Sequence, residues 1–294
     1  MAITIQPLGP PGFAGEVHGI DLRRPLSGAE TDAIHAGMDE FAVLVLHGEP
    51  LTPQQQLDFT TQLGELEVTA HTGLRAPQDY RLPEVFADIS NLDKNEQPFS
   101  REDRRRLFAL GNRLWHSDSS FKAVPARYSL LHALRLPSKG GETEFADMRA
   151  AYDALDDETR AQIEDLVCEH SQIYSRQQIG FFELSDEERA RCAPVRQCLV
   201  RTHPLTGRRS LYLSSHAGGI VGWPVPEARA FLRDLIEHAT QREFVYRHRW
   251  QVGDLVIWDN RQTMHRQRPF PANQARDMRR TTIAGDGPTA AQVA

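Results

Sequence analysis

The feature that most constrains the fold is a series of short β-prone segments that crowd the second half of the chain. These segments are rich in Val, Leu, Ile and aromatic residues and are bounded by Gly, Pro, Asn or Asp, as strands usually are. The candidates are FAVLVLHG, YSLLHALRLP, LVRTHP, RSLYLSS, REFVYRHRW, DLVIWDN and RRTTIAG. Two pairs are predicted to form hairpins, one turning at Thr206 and Gly207 and the other at Gly253 and Asp254.

Helices are predicted beside these strands. Their start signals are two capping boxes and a cap followed by proline, namely Ser27 with Glu30, Ser185 with Glu188, and Thr52 before Pro53. The segment 223–240 carries an apolar helical face made of Ala230, Leu232, Leu235 and Ile236. Short strands with helices at their ends predict a mainly β fold with helical decoration, an α+β sandwich or barrel, and not a parallel doubly wound sheet.

Composition limits the classes of partner. The formal net charge of −6 gives no basic surface for nucleic acid. No apolar run is long enough to cross a bilayer, and the first residues lack the pattern of a signal peptide, so we expect a cytoplasmic protein without a membrane partner. The three cysteines are too few and too scattered for a disulfide framework.

The 294 residues are enough for one large domain or two small ones. The charged, irregular stretch from about residue 65 to 112 is predicted to be a long excursion from the core. Such excursions are either functional lids or disordered segments.

Three residues are candidates for a metal site. His116 and Asp118 are two apart, and in an extended segment such residues point to the same side. His265 follows the apolar run 255–258, as a residue at the mouth of a barrel would. Two imidazoles and one carboxylate form the facial triad of non-heme Fe(II) oxygenases, which leaves coordination positions open. Taken singly, these residues are better explained without a metal, His116 and Asp118 as a solvated pair at a loop edge and His265 as a surface histidine.

The segment QARDMRRTTIAG predicts an arginine-rich strand. By alternation one face carries Arg276, Met278, Arg280 and Thr282, and the other carries Arg279 and Thr281. Arg276 and Arg280 would lie roughly 13 Å apart along the strand. One could hold the far carboxylate of a chelating diacid and the other a second anion, because the guanidinium fork pairs with both oxygens of a carboxylate. The alternative is a solvated basic edge strand.

Together these motifs resemble a known family. The segments LWHSDSSF, GGETEFADMRAAYDAL, IWDNRQTMHR and RDMRRTTIAGD are similar to those of Fe(II)/2-oxoglutarate-dependent dioxygenases related to taurine dioxygenase. Within that group RLWHSDSSF, ARYSLL, EHATQREFVYRHRW and VGDLVIWDNR most resemble the 2,4-dichlorophenoxyacetate (aryloxyalkanoate) dioxygenases. The resemblance covers about residues 4 to 286.

The resemblance implies a double-stranded β-helix (jelly-roll, cupin-like) core in a single domain over residues 1–294, with the 65–112 excursion covering the pocket. It assigns roles to seven residues: His116, Asp118 and His265 bind Fe(II), Thr143 and Arg276 bind 2-oxoglutarate, Arg280 binds the acid group of the substrate, and Asn91 is a substrate contact. His216 follows a predicted strand and is a further candidate for a substrate contact. For Asn91 and His216 a structural role is as good an interpretation.

The implied reaction uses O2 and 2-oxoglutarate to hydroxylate the carbon next to the ether oxygen of an aryloxyacetate-type herbicide. The products are a phenol, glyoxylate, succinate and CO2, and the partner is a small anionic aromatic molecule. Three alternatives stay open: the same chemistry on a sulfonate or alkyl sulfate, a zinc hydrolase using the same triad, and a non-catalytic β-sandwich binding module. The sequence also leaves open whether the chain forms a homo-oligomer.

Overall fold

The computed structural model describes residues 3–67 and 81–292, and in it two β-sheets pack face to face between layers of helices. The larger sheet has seven described strands. In spatial order they are β1 (Thr4–Leu8), β2 (Ala14–His18), β3 (Val43–Leu46), β13 (Leu255–Asp259), β5 (Tyr128–Arg135), β15 (Asp277–Thr282) and β4 (Ala87–Asp88). Strands β2 and β3 pair in parallel, and the other neighbours in this sheet are antiparallel.

The smaller sheet faces the larger one. Its strands, all antiparallel, are β12 (Val245–His248), β6 (Thr143–Asp147) and β14 (Thr263–Gln267). Two minor sheets flank it: β11 (Ala217–Ile220), β7 (Val167–His170) and β8 (Val195–Cys198) form one, and the hairpin of β9 (Val200–Thr202) with β10 (Arg209–Leu211) forms the other.

The described helices are mostly short. They are α1 (Gly28–Phe41), α2 (Pro53–Thr61), α3 (Arg104–Ala109), α4 (Met148–Asp153), α5 (Asp157–Ile163), α6 (Gln172–Gln178), α7 (Asp186–Arg191) and α8 (Val225–Ala239), with 3-10 turns at Leu110–Arg113 and Arg242–Phe244. The predicted caps are confirmed. At α1, α2 and α7 the cap hydroxyl accepts the N–H of the third helical residue, and the side chain of that residue bonds back to the cap N–H.

Strand alternation divides the larger sheet into two apolar faces. One face, with Val43, Val45, Val256 and Trp258, packs against Phe145 of β6 between the two sheets. The opposite face carries Leu44, Leu46, Leu255 and Ile257 and packs beneath α1 and α2. The central strands β3 and β13 are therefore buried on both sides, which is why they read as continuous apolar runs. The expected class, mainly β with helical decoration, is confirmed.

Helices α4 and α8 cover the outer face of the smaller sheet. Leu232 and Leu235 of α8 are buried there with Ala146 and Met264 of the sheet. The predicted apolar face of α8 is correct for these two leucines but wrong for Ala230, which is exposed. The buried alanines are Ala228 and Ala239, because the contact stripe of α8 follows positions 228, 232, 235 and 239.

One of the two predicted hairpins is wrong. The turn at Thr206 and Gly207 does join the paired strands β9 and β10. In contrast, the turn at Gly253 and Asp254 connects β12 of the smaller sheet to β13 of the larger one. Gly253 has φ +94°, and a Cβ there would lie 1.9 Å from the carbonyl oxygen of Gly48. The turn signal was real, but it marks a change of sheet, which local sequence does not encode.

The predicted excursion at 65–112 lies partly outside the described residues. From residue 81 onward it contains β4, α3 and the 3-10 turn before the His116 segment. Among the helices of residues 3–67 and 81–292, none has both the length and the apolar character needed to cross a bilayer.

We expect the doubly buried strand β3 to tolerate truncation poorly. Leu44→Ala removes a fully buried side chain beneath α1 and should lower the free energy of unfolding by about 2–5 kcal/mol, measured by urea denaturation. Leu205→Ala makes the same chemical change at a side chain that is 70% exposed and should change it by less than about 0.5 kcal/mol. Equal effects of the two substitutions would contradict the described packing of β3.

Candidate metal centre

His116 and His265 are held together by their backbones. The N–H of His116 donates to the carbonyl of His265 at 3.0 Å, and the reverse bond measures 2.8 Å. This two-residue bridge joins the segment that precedes β5 to strand β14. As a result the two imidazole ring centroids lie 4.2 Å apart, although 149 positions in the sequence separate the residues.

Asp118 completes the cluster. Its Oδ1 lies 3.9 Å from Nε2 of His116, and its Oδ2 lies 3.7 Å from Nε2 of His265. All three side chains are buried, and one potential ligand atom from each lies within 4.8 Å of the others. In the part of the chain that the structure describes, this is the only trio of His, Cys, Asp or Glu with such spacing.

The protonation states suit a divalent cation. Nδ1 of His116 lies 2.8 Å from the carbonyl of Leu114, to which it donates, so the lone pair of the ring is on Nε2 and faces Asp118. Burial lowers the pKa of His116 and of His265, which keeps both rings neutral. Burial alone would raise the pKa of Asp118, but the charge of Arg280, helped by the hydrogen bond from Ser129, holds it at about 2. Two neutral imidazoles and a carboxylate are a donor set that Fe(II) accepts.

A hydrogen-bond network fixes the carboxylate from behind. Ser129 on β5 donates its hydroxyl to Oδ2 of Asp118 at 2.8 Å. Asn260, which follows β13, donates to Ser129 at 3.0 Å and accepts the backbone N–H of Asp118 at 3.2 Å. The indole N–H of Trp258 also donates to Asn260. Sequence reasoning missed Ser129 and Asn260, whose only signal is a polar residue at the end of an apolar strand.

The histidines of the triad open onto a cleft that encloses about 370 Å³ and is partly open to solvent. It is lined by Ile89, Asn112, His116, Leu131, Thr143, Trp258, His265, Gln267, Arg276 and Arg280. The fold thus brings Thr143, Arg276 and Arg280 to the cleft of the metal ligands. Asn112 and Gln267 were not predicted.

Arg276 and Thr143 present donors suited to a carboxylate. Arg276 is buried, and its polar partners are carbonyl oxygens of Gly141 and Ile89 and the amide oxygen of Gln267, which lies 2.7 Å from Nη1 when turned toward it. Burial lowers the pKa of Arg276 to about 9, so it remains a cation at neutral pH. Thr143 accepts the indole N–H of Trp250 at 3.0 Å, which leaves its own hydroxyl proton available for donation.

Arg280 lies beside the metal ligands. Its Nη1 donates to Oδ1 of Asp118, and its Nε has no partner among the described residues. The neighbouring Arg279 points to the other side of the sheet, where it bonds to Gln56 on α2 and to the carbonyl of Leu51. Arg280 therefore faces the cleft and Arg279 faces the helical layer.

Asn91 and His216 have identifiable packing roles. The amide of Asn91 accepts the backbone N–H of Arg276 at 2.8 Å and donates to the carbonyl of Gln274 at 2.9 Å, so it shapes the chain that carries Arg276. His216 is buried edge-on to His116, with 6.1 Å between ring centroids, and does not line the cleft described above. Direct contact of either residue with a substrate stays a prediction.

Comparison with known proteins gives an independent view of the whole chain. The family described as "Taurine catabolism dioxygenase TauD, TfdA family" matches residues 4–282. The chain is 44% identical over 286 residues to the alpha-ketoglutarate-dependent 2,4-dichlorophenoxyacetate dioxygenase of Cupriavidus pinatubonensis, covering 97% of this chain and 99% of that relative.

Two solved structures show the same architecture. The crystal structure of AAD-2 in complex with Mn(II) and N-oxalylglycine superposes with a TM-score of 0.95 at 55% identity, covering 99% of this chain and all of that one. A taurine dioxygenase from Burkholderia xenovorans gives a TM-score of 0.77 at 28% identity, covering 99% of this chain and 94% of its own. The expected double-stranded β-helix core is confirmed by these likenesses.

If the trio is a metal site, removing its carboxylate should abolish tight binding. We expect Asp118→Ala to bind Fe(II) at least about tenfold more weakly than the wild type, measured as metal retained per chain after anaerobic dialysis. Asp157→Ala is a matched control, because that carboxylate is 98% exposed on α5 and pairs only with Arg160 among the described residues. Undiminished metal content in Asp118→Ala would remove Asp118 from the ligand set.

Proposed function

Because the chain belongs to the taurine catabolism dioxygenase TauD, TfdA family, we propose that it is a 2-oxoglutarate-dependent oxygenase that cleaves aryloxyacetate-type herbicides such as 2,4-dichlorophenoxyacetate. It is an oxidoreductase of the dioxygenase class, with Fe(II) as its metal and 2-oxoglutarate and O2 as co-substrates. The observation that carries the proposal is that the two histidines of the trio line one cleft with Arg276, a buried arginine that has no carboxylate partner among the described residues.

His116, Asp118 and His265 would hold the iron. When bound with 2-oxoglutarate and O2, the iron supplies an oxidant strong enough to break a C–H bond. The protein keeps both imidazoles neutral by burial and keeps the carboxylate ionised through Arg280 and Ser129. These residues are therefore ready to bind the metal at neutral pH without a change of protonation.

The co-substrate would be oriented by Arg276 and Thr143. A guanidinium in a buried setting pairs more strongly with a carboxylate than one in water does. Asn91 holds the backbone of Arg276, and Trp250 fixes the oxygen of Thr143, so neither group needs to be ordered when the ligand arrives. N-oxalylglycine, which AAD-2 binds together with Mn(II), is an analogue of 2-oxoglutarate.

The primary substrate would place its carboxylate near Arg280 and its –CH2– group toward the metal. Hydroxylation of that carbon gives a hemiacetal, which loses its hydroxyl proton and expels the aryl oxygen to yield a phenol and glyoxylate. 2-Oxoglutarate takes up the other oxygen atom of O2 and leaves as succinate and CO2. Correct placement of the carbon matters because orientation can supply about 7 kcal/mol or more of a reaction barrier.

Family membership favours this chemistry over the zinc hydrolase and the binding module that the sequence alone left open. The same oxygenase reaction on a sulfonate or alkyl sulfate is a possible outcome of the substrate test below. The single domain over residues 1–294, the cytoplasmic location and any homo-oligomer stay predictions.

The first test uses the protein reconstituted with Fe(II), 2-oxoglutarate and phenoxyacetate in air. We expect phenol and succinate to form in step, measured by chromatography, because each hydroxylation consumes one 2-oxoglutarate. A reaction without 2-oxoglutarate is the control and should yield no phenol. Brisk succinate formation with taurine or an alkyl sulfate, but no phenol from phenoxyacetate, would overturn the proposed substrate while leaving the reaction class intact.

The second test separates the roles of the two cleft arginines. Arg276→Gln should raise the KM for 2-oxoglutarate about tenfold or more and Arg280→Gln the KM for phenoxyacetate, since a hydrogen bond to a charged group contributes about 1.5–3 kcal/mol. Arg135→Gln, at a half-exposed side chain on β5 that pairs with Glu96, is the matched control and should change neither value. Parallel losses for both ligands in both variants would show that the two roles are wrongly divided.

A further inference from the structure

Five arginines are buried in the described chain, and they differ in how their charge is compensated. Arg149 pairs with Asp147, and Arg261 pairs with Asp259. Arg279 bonds to an amide and a carbonyl oxygen and lies in the field of Asp277. Arg276 and Arg176 lack any carboxylate partner among the described residues. An unpaired charge is costly to bury, so these two arginines need an explanation.

Arg176, on α6, is the least satisfied of the five. Its Nη1 donates to the hydroxyl of Ser175 at 3.0 Å, and its buried Nε has no partner among the described residues. The guanidinium carbon lies 4.1 Å from the ring centroid of Phe108, which is a cation–π contact. Burial lowers the pKa of Arg176 to about 10, so the side chain still carries its charge at neutral pH.

The position of Arg176 relates it to the metal centre. The hydroxyl of Ser175 that it bonds also lies 2.9 Å from Nδ1 of His216, and His216 packs edge-on against His116. The charges of Arg176 and Arg280 both lower the pKa of His116, after the larger effect of burial. Arg176 is thus connected to the metal-facing imidazole of His116 through Ser175 and His216.

The neighbouring backbone makes room for this cation. A Cβ on Gly111 would lie 2.4 Å from Nη1 of Arg176 and 2.5 Å from its guanidinium carbon. The guanidinium thus occupies the space that any other residue at position 111 would fill with its side chain. A glycine at this position allows Arg176 to approach the 3-10 turn Leu110–Arg113, in which Asn112 lines the cleft.

We propose that Arg176 binds the carboxylate of the aryl acid substrate, together with Arg280. This inference rests on the proposed function and names a recognition residue for it. The reaction has two anionic ligands, and the part of the chain that the structure describes has two buried arginines that pair with no described carboxylate. Arg276 is the one assigned to 2-oxoglutarate, and Arg280 is partly neutralised by Asp118. Arg176 is then the remaining cation that can bind the second anion, the carboxylate of the aryl acid.

The test compares stability with binding in Arg176→Gln. Phenoxyacetate binding is measured by calorimetry on protein loaded with Mn(II) and N-oxalylglycine, which prevents turnover. We expect the dissociation constant to rise about tenfold or more, because a charged hydrogen bond is lost. The melting temperature of the ligand-free protein should stay the same or rise, because a buried charge without a partner has been removed.

Two further variants control for a structural role. Arg149→Gln removes an equally buried arginine that does have a carboxylate partner, so it should lower the melting temperature and leave phenoxyacetate affinity within about twofold. Gly111→Ala keeps the charge but displaces the guanidinium, and should weaken phenoxyacetate binding as well. A lower melting temperature with unchanged affinity in Arg176→Gln would make Arg176 structural and overturn the inference.

The design also separates this inference from the proposed function. If the wild type binds phenoxyacetate and Arg176→Gln binds it equally well, the inference fails and the proposed function stands. If the wild type binds hexyl sulfate but not phenoxyacetate, the proposed substrate fails, and the same comparison with hexyl sulfate supports or overturns anion binding by Arg176. Binding of neither anion by the wild type would overturn both.

Discussion

The site depends on two reciprocal backbone hydrogen bonds between His116 and His265. Within residues 3–67 and 81–292 they are the only strand-like pairing that His116 makes, and they join an irregular segment to a regular strand of the smaller sheet. Because the bonds are between main-chain groups, they fix the separation of the two imidazoles whatever the rotamers of the neighbouring side chains. Phe145 and Trp258, from the two facing sheets, both pack against the ring of His265. The apolar layer between the sheets therefore holds the geometry of the metal ligands.

The electrostatics of the cluster follow from the same burial. A carboxylate as enclosed as Asp118 would be protonated if it were alone, and it would then be a poor metal ligand. Arg280 and Ser129 reverse this, each bonding to a different carboxylate oxygen. The imidazoles need no such support, since burial favours the neutral form that binds metal. Burial thus favours the metal-binding form of the imidazoles and disfavours that of the carboxylate. Only the carboxylate needs a neighbouring cation to stay in its metal-binding form.

The sequence predicted the local features well. The capping boxes at Ser27 and Ser185, the cap at Thr52 and the apolar strand run 255–258 could be recognised because their signals lie within a few residues of each other. The cluster of His116, Asp118 and His265 was predicted because two histidines and one carboxylate are the ligand set of a known class of iron enzymes. What failed depended on distant partners. The turn at Gly253 crosses between sheets, so the hairpin predicted there was wrong. The amide of Asn91 is engaged by the backbone around Arg276, and its contact with a substrate stays a prediction.

Asn112, Gln267 and Arg176 show most clearly why a single sequence falls short. Each is a common polar residue with no diagnostic neighbour, and each becomes informative only through what surrounds it in space. For Arg176 the informative fact is that no carboxylate of the described residues pairs with it, which a local sequence pattern cannot show. Among the described residues, Arg276 and Arg280 line the cleft of the metal ligands, and Arg176 is linked to His116 through Ser175 and His216. The carboxylate of the ligand set is that of Asp118, which pairs with Arg280. A protein selected for stability alone would not bury more guanidiniums than carboxylates at one site. The excess of positive charge is understandable if two anionic ligands neutralise it when they bind. Part of the binding free energy of each ligand then offsets the cost of burying these guanidiniums without carboxylate partners.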